Sequence, residues 1–454
     1  MTSSAIKKNA LQQIGLLYFV FVMYSYDTAG PFGLEDQVTN SGPGMTLIYH
    51  LLLPLFWCIP ISLVAAELTT AMPVEGGFYR WVRAAFGDFW GFLAGWWNWS
   101  ASFLLGGAYA VLFTDYFVFY FPKVTAWKHY LICLCLIAVI AWVNVRGIKM
   151  VGKTVTVLEV FILLPVIIMI VMGLTQWRHN PFLPIVPPHK PLFQVFGTGL
   201  ALGLWLYAGY EQLSTVAGEV ENPQRIYPLA LAMVVPLSIA TYFLPTFAAL
   251  AALGNWQSWR TGYFAEAGRL IGGTWLGFWM TLAAMVTNLS ILTTTMLASS
   301  RMPFAMAEDG YFPPFLARIH PRYGTPYVAV VASAVIYALL AVQTLTQLIN
   351  IYIWLRIATS VMTVLAAWRL RRSHPNMPRP FVIPGGRTGL IYAVGAPVLM
   401  SVLALLASNR HGLTWGPVAI AVGPLVFLLV QRKSAARDRT TAELFSSRNR
   451  SADS

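Results

Sequence analysis

Apolar residues run through this chain in long blocks, and polar residues collect in short stretches between them. Each block is close to the ~20 residues that cross a bilayer as a helix. Twelve blocks can be set out, at 11–40, 44–72, 86–121, 128–146, 151–175, 193–220, 226–253, 272–303, 325–343, 345–370, 388–408 and 412–431. They predict an all-α membrane protein of twelve transmembrane helices. Two blocks are interrupted by Gly-rich polar stretches. The first carries "YSYDTAGPFGLED" (24–36) and the sixth carries "LWLYAGYEQLSTVAGEVENPQR" (204–225).

The interruptions fall in register. The break near Gly30 is followed by a block centred near 58 and another starting near 86. The break near Gly209 is followed by a block centred near 239 and another starting near 272. Broken helices at matching positions in two halves are the mark of an inverted-repeat transporter. The expected organisation is a short N-terminus (1–10), a five-helix repeat (11–175), a second five-helix repeat (193–370), two further helices (388–431) and a polar tail (432–454). An odd number of spans per half sets the two repeats in opposite orientation.

Composition narrows the class. The chain has 454 residues, 57% hydrophobic and 10% charged, against about 25% charged in soluble domains. No segment is left for a soluble domain. The formal charge of +13 reads as topology and not as nucleic-acid binding. With the N-terminus inside, 22 Lys and Arg fall on the inner connections and 7 on the outer ones, so both termini are expected in the cytoplasm. A multi-pass protein of the plasma or inner membrane follows, with the bilayer as its partner. No signal peptide is read at "MTSSAIKKNA". The stretch 73–87 is amphipathic and is expected along the inner face, and 254–273 is a longer outer loop with some helical pattern. Cys58, Cys133 and Cys135 lie in apolar runs and are expected to be small buried hydrophobes. No metal-ligand spacing appears and no cofactor is implied. Nothing in the sequence sets an oligomeric state.

The chemistry gathers at the breaks. Unwound backbone at membrane depth is tolerated only in protein or beside a cavity. It leaves N–H groups that suit a substrate carboxylate and carbonyls that suit a cation. Pro31 removes one such donor. Trp205 and Tyr210 offer ring faces to an ammonium. The acids within the blocks are Asp27, Glu35, Asp36, Glu67, Asp115, Glu159 and Glu211, while Arg356 is the basic residue well inside one. Ionisable groups at depth are functional candidates, proton relays among them. Glu67, Asp115 and Asp36 sit near block ends, where a structural or hydrated role suffices. The acidic excess favours an amine-bearing substrate. Candidate substrate contacts are Asp27, Thr28, Ala29, Gly30, Gly33, Glu35, Trp205, Ala208, Gly209, Tyr210 and Glu211, and candidate proton-coupling residues are Glu159 and Glu211.

Four stretches carry a resemblance. "AAELTTAMPVEGGFYRWVRAAFGDFWGFLAGWWNW", "YAGYEQLSTVAGEVENPQRIYPLAL", "SSRMPFAMAEDGYFPPFLARIHPRYGTP" and "RLRRSHPNMPRPFVIPGG" together resemble the amino acid–polyamine–organocation permease superfamily over nearly the whole chain. "GPFGLED" is most similar to the polyamine and basic-amine branch of plants and protozoa. The resemblance implies a leucine-transporter-like 5+5 inverted repeat with helices 1 and 6 broken and helices 11 and 12 added. It also implies a substrate held between helices 1, 3, 6, 8 and 10, and proton-linked uptake. By position, Glu211 matches a glutamate of cationic amine exchangers and Trp205 matches an aromatic gate. Glu159 stands where several sodium-independent relatives carry a lysine in place of a coupling ion. The third span departs from the polyamine branch. It reads "FLLGGAYAVLF" where an acidic residue followed by Asn is expected.

The sequence therefore predicts a secondary transporter that imports an amine or amino acid by alternating access, with no enzymatic activity. Two modes stay open, proton symport and amine exchange. A membrane enzyme would need a nucleophile–base or metal constellation, and a sensor or scaffold would need a soluble domain. Neither is found.

Overall fold

The computed structural model describes residues 12–120, 124–188, 190–341, 345–406 and 412–430. The basic N-terminal residues and the tail lie outside the described residues. Among those described the chain is helical throughout. No strand forms, and one isolated bridge joins Ile14 to Val220. In chain order the helices are α1 (Leu16–Asp27), α2 (Glu35–Ser41), α3 (Pro43–Ala71), α4 (Phe78–Phe86), α5 (Asp88–Tyr120), α6 (Ala126–Val145), α7 (Ile148–Thr175), α8 (Leu192–Leu206), α9 (Pro223–Leu253), α10 (Tyr263–Gly272), α11 (Thr274–Glu308), α12 (Tyr327–Leu340), α13 (Leu345–Ser373), α14 (Gly386–Leu406) and α15 (Gly412–Val430). Eight of these are long and apolar enough to cross a membrane. The chain is a multi-pass membrane protein.

Burial sorts the helices into an inner and an outer set. α11 buries a continuous run from Leu292 to Ala307, and it packs on α5, α7 and α10. α6 and α15 bury only 22% and 17% of their apolar windows, so most of their surface meets lipid. Cys58 and Cys133 are buried as expected, but Cys135 is exposed on α6. It lies two residues from Cys133, so the helix turns it to the lipid face.

The two broken spans differ from each other. The first is two α-helical pieces, α1 and α2, separated by 28–34. The second half of the sixth block is not α-helical: Gln212–Glu219 forms a 3-10 turn. Ser214 Oγ and Thr215 Oγ1 donate to the carbonyls three residues back, at 2.6 and 2.8 Å. Such local bonds compete with the α-helical ladder. α3 carries a π turn at Pro54–Cys58, where Pro54 supplies no N–H to the ladder.

One end of the bundle is held by charge pairs. Arg301 of α11 reaches Glu219 at 2.7 and 3.0 Å with both side chains essentially out of contact with solvent. At the same end Ile14 N–H donates to Glu219 O (3.1 Å) and Glu221 N–H donates to Ile14 O (3.0 Å). The start of α1 and the exit of the second break are thus tied together. Glu67 accepts from Arg371 and from the Ile383 N–H. Arg80 and Arg83 of the amphipathic helix α4 hold Asp309 at 2.7 and 2.8 Å, while the apolar side of α4 buries Phe78, Trp81 and Val82.

Removing one partner of a buried pair strands a charge, which costs about 3–5 kcal/mol. Arg301→Met should lower the unfolding temperature of the detergent-solubilised protein clearly. The double variant Arg301→Met with Glu219→Gln should recover most of that loss.

Candidate functional site

The first break is built by its own backbone. Thr28 and Ala29 N–H both donate to Tyr24 O, at 2.8 and 3.1 Å, which ends α1. Ala29 then turns to φ +47°, followed by Gly30 at +114° and Gly33 at +99°. Ala29 in this region carries strain that its surroundings must hold. Thr287 Oγ1 of α11 does so by donating to Ala29 O at 2.7 Å. Thr28 Oγ1 donates to Ser238 Oγ of α9 at 2.7 Å. At Gly30 a Cβ would come within 2.9 Å of the Ile162 side chain, so space and φ both require glycine there.

The second break meets the first. Gly209 has φ +144°, and a Cβ on it would lie 2.6 Å from Asp27 Oδ1 and 3.0 Å from the Tyr26 ring. Trp205 packs over Gly33, its ring 3.5–3.6 Å from where a Cβ would be. Tyr26 Oη donates weakly to Gln212 Oε1 at 3.5 Å. Residues 180 positions apart thus share one wall.

Between the breaks lies a cavity of about 40 Å³ lined by Asp27, Thr28, Trp205 and Ala208 together with the rings of Tyr26, Phe32, Tyr109, Tyr242 and Tyr352. Since about 10–15 Å³ of such volume holds one water, it has room for an ammonium-sized head and little more. Asp27 is 4% exposed, and both of its carboxylate oxygens lack a hydrogen-bond partner. An ionised group out of water needs a partner. An aromatic-walled cavity with one unpartnered carboxylate suits a cation with N–H donors.

Glu211 is placed differently from what its sequence suggests. It is fully buried, and its Oε1 accepts from Arg356 Nη2 (3.1 Å), Ser360 Oγ (2.9 Å) and Gln212 Nε2 (3.3 Å). Arg356 Nη1 donates to Asn98 Oδ1 at 2.9 Å, and its Nε has no partner. Arg356 is therefore spent on this acid, and neither side chain lines the cavity. Tyr210 also sits behind the wall. Its carbonyl accepts from Tyr227 Oη at 3.1 Å.

Glu159 forms a separate centre. Its Oε1 accepts from Ser290 Oγ at 2.6 Å, Ser290 in turn meets Ser25 Oγ at 2.8 Å, and its Oε2 has no partner. This buried group joins α7 and α11 to α1 just below the first break. Glu35 points the other way. Its Oε2 accepts from the Gly33 N–H (2.7 Å) and its Oε1 from the Gly262 N–H (3.3 Å). Exposed Asp36 beside it accepts from Thr261 N–H and Oγ1, both at 3.0 Å. The loop before α10 is thus pinned onto α2 by two adjacent acids.

A family model described as amino acid permease matches residues 14–430. This chain belongs to the amino acid permease family. The permease is 31% identical to the polyamine transporter RMV1 of Arabidopsis thaliana, over 93% of this chain and 86% of that protein. It is 30% identical to the polyamine transporter PUT1 of Oryza sativa subsp. japonica, over 91% of this chain and 78% of that protein. The permease is a small-molecule transporter of the membrane and not an enzyme.

Of the predicted residues, the structure gathers Asp27, Thr28, Trp205 and Ala208 on the cavity and sets Ala29, Gly30, Gly33 and Gly209 as the backbone that shapes it. Glu35, Tyr210 and Glu211 stand apart from the lining. Sequence reading missed Tyr109 of α5 and Tyr352 of α13. One aromatic among many carries no signal of its own. The pairing of Arg356 with Glu211 did have a signal, because a lone basic residue among buried acids has to find one of them.

Glu211→Gln should destabilise the folded permease by about 3–5 kcal/mol, since Arg356 is left buried and charged. Adding Arg356→Gln should restore most of the stability. A thermal-unfolding double-mutant cycle reads the coupling.

Proposed function

We propose that the permease is a secondary transporter that imports an amine-bearing substrate, its ammonium group held by Asp27 inside the aromatic cavity. The observation that carries this reading is the Asp27 carboxylate, buried, unbonded and facing the cavity. The relatives named as polyamine transporters support an amine over an uncharged solute.

The fold in this reading has twelve spans. The eight long apolar helices are joined by α5, by α12 and by the two broken spans, α1 with α2 and α8 with its 3-10 turn. The first ten form two inverted five-helix repeats, and the termini lie in the cytoplasm of a cell membrane. The two halves rock about the paired breaks to expose the cavity to each side in turn. Charge pairs bind one end of the bundle and the α10 loop closes the other, so each end has a set of bonds that opening must release.

Coupling belongs to Glu159 in this reading. It is buried, one oxygen is unbonded, and the Ser25–Ser290 chain connects it to α1. A proton on Glu159 would neutralise a lone buried charge and bias how α1 packs on α7. Glu211 is less suited, because Arg356 already balances it. Exchange of amines without net proton movement is the other mode, and it would need no titrating group at Glu159.

Asp27→Asn should reduce putrescine uptake into proteoliposomes at least about tenfold, a loss in line with a hydrogen bond to a charged group. Unchanged uptake would remove Asp27 from the site. Glu159→Gln should abolish stimulation of uptake by an inward proton gradient while leaving equilibrium binding of putrescine. Persistence of the stimulation in that variant would exclude Glu159 as the coupling group.

A further inference from the structure

Glu35 lies in the motif at the first break but touches no part of the cavity. It is fully buried, and its two oxygens are spent on two backbone N–H groups, Gly33 at 2.7 Å and Gly262 at 3.3 Å. An unwound transmembrane helix offers its N–H groups to an anionic group of the substrate. Here several of those positions have no N–H left to give. Thr28 and Ala29 donate to Tyr24 O, Pro31 has no N–H, and Gly33 donates to Glu35. Trp205 covers Gly33 on the cavity side. The Arg356 guanidinium directs Nη1 at Asn98 and Nη2 at Glu211, and it does not line the cavity. The cavity offers an ammonium an unbonded carboxylate, while a carboxylate at Gly33 would meet an N–H already bonded to an anion. Two carboxylates brought close out of water repel strongly.

We propose that Glu35 acts as a tethered anion at the first break, occupying the Gly33 N–H and setting a negative charge where an amino acid's carboxylate would approach, so that the permease selects amines lacking an α-carboxylate. Glu35 is thus a specificity residue that touches no substrate. This inference rests on Asp27 as the ammonium site and narrows the substrate to di- and polyamines.

The test uses two pairs of compounds that differ only by the carboxylate, agmatine with arginine and putrescine with ornithine, in proteoliposomes of the full-length protein. The wild type should take up each amine at least about tenfold better than its amino acid, the scale of one hydrogen-bonded charge. Glu35→Ala should shrink that preference about tenfold, chiefly by admitting the amino acid. Asp36→Asn loosens the same loop without freeing the Gly33 N–H, and it should leave the preference unchanged. Glu35→Gln keeps one acceptor for Gly33, gives up the longer bond from Gly262 and removes the charge. It should fold where the alanine variant fails and should still let arginine compete several-fold better for agmatine uptake. Equal uptake of both members of a pair by the wild type overturns the inference. So does an unaltered preference in both Glu35 variants, or an equal shift in Asp36→Asn. If Asp27→Asn keeps full uptake, the ammonium site itself is wrong, and that result is distinguishable from the others.

Discussion

The structure turns on one contact, the approach of Asp27 to Gly209. Two unwound segments in a membrane protein must satisfy their backbone inside the protein. Here they do so by leaning on each other and on α9 and α11, through Thr28 to Ser238 and Thr287 to Ala29. A glycine at 209 leaves the room that lets the carboxylate sit against the opposite break. With any side chain there, Asp27 would have to move, and the cavity wall would move with it.

Around that contact the acids divide by partner. Glu219 and Glu67 are neutralised by arginines at one end of the bundle. Glu211 is neutralised at depth by Arg356. Glu35 and Asp36 bond the break and the α10 loop. Asp27 is left with no bond and Glu159 with only one oxygen bonded. The excess of acids within the spans thus leaves two with no arginine partner and an unbonded oxygen, one facing a cavity and one between helices. Structural acids and working acids look alike as letters, and they differ in what stands beside them.

The motif "GPFGLED" also divides. Its glycines shape the backbone, its proline removes a donor, and its two acids close the side of the break away from Asp27. The third block, which lacks the acid expected from the polyamine branch, supplies Asn98 for Arg356 and Tyr109 for the cavity. In the proposed reading an amine is met by rings and by one aspartate of the first span, and no acid of α5 lines the cavity.

Much of this was legible in the chain. Apolar blocks of membrane length can do little else but form helices, because no other local structure satisfies its own backbone in lipid. Glycine and proline clusters inside such blocks mark where that rule is broken, so both breaks and the candidacy of Asp27, Gly30 and Gly209 could be read from sequence. Tertiary structure alone decided which acid is free. Whether a carboxylate is paired depends on residues 80 to 300 positions away, as Arg301 is for Glu219, Arg356 for Glu211 and Arg371 for Glu67. It also decided that the second break continues as a 3-10 turn, because hydroxyl-to-backbone bonds there compete with the helix. Local sequence fixes which backbone can be satisfied by itself, whereas charge at depth is settled only by the neighbours that packing brings.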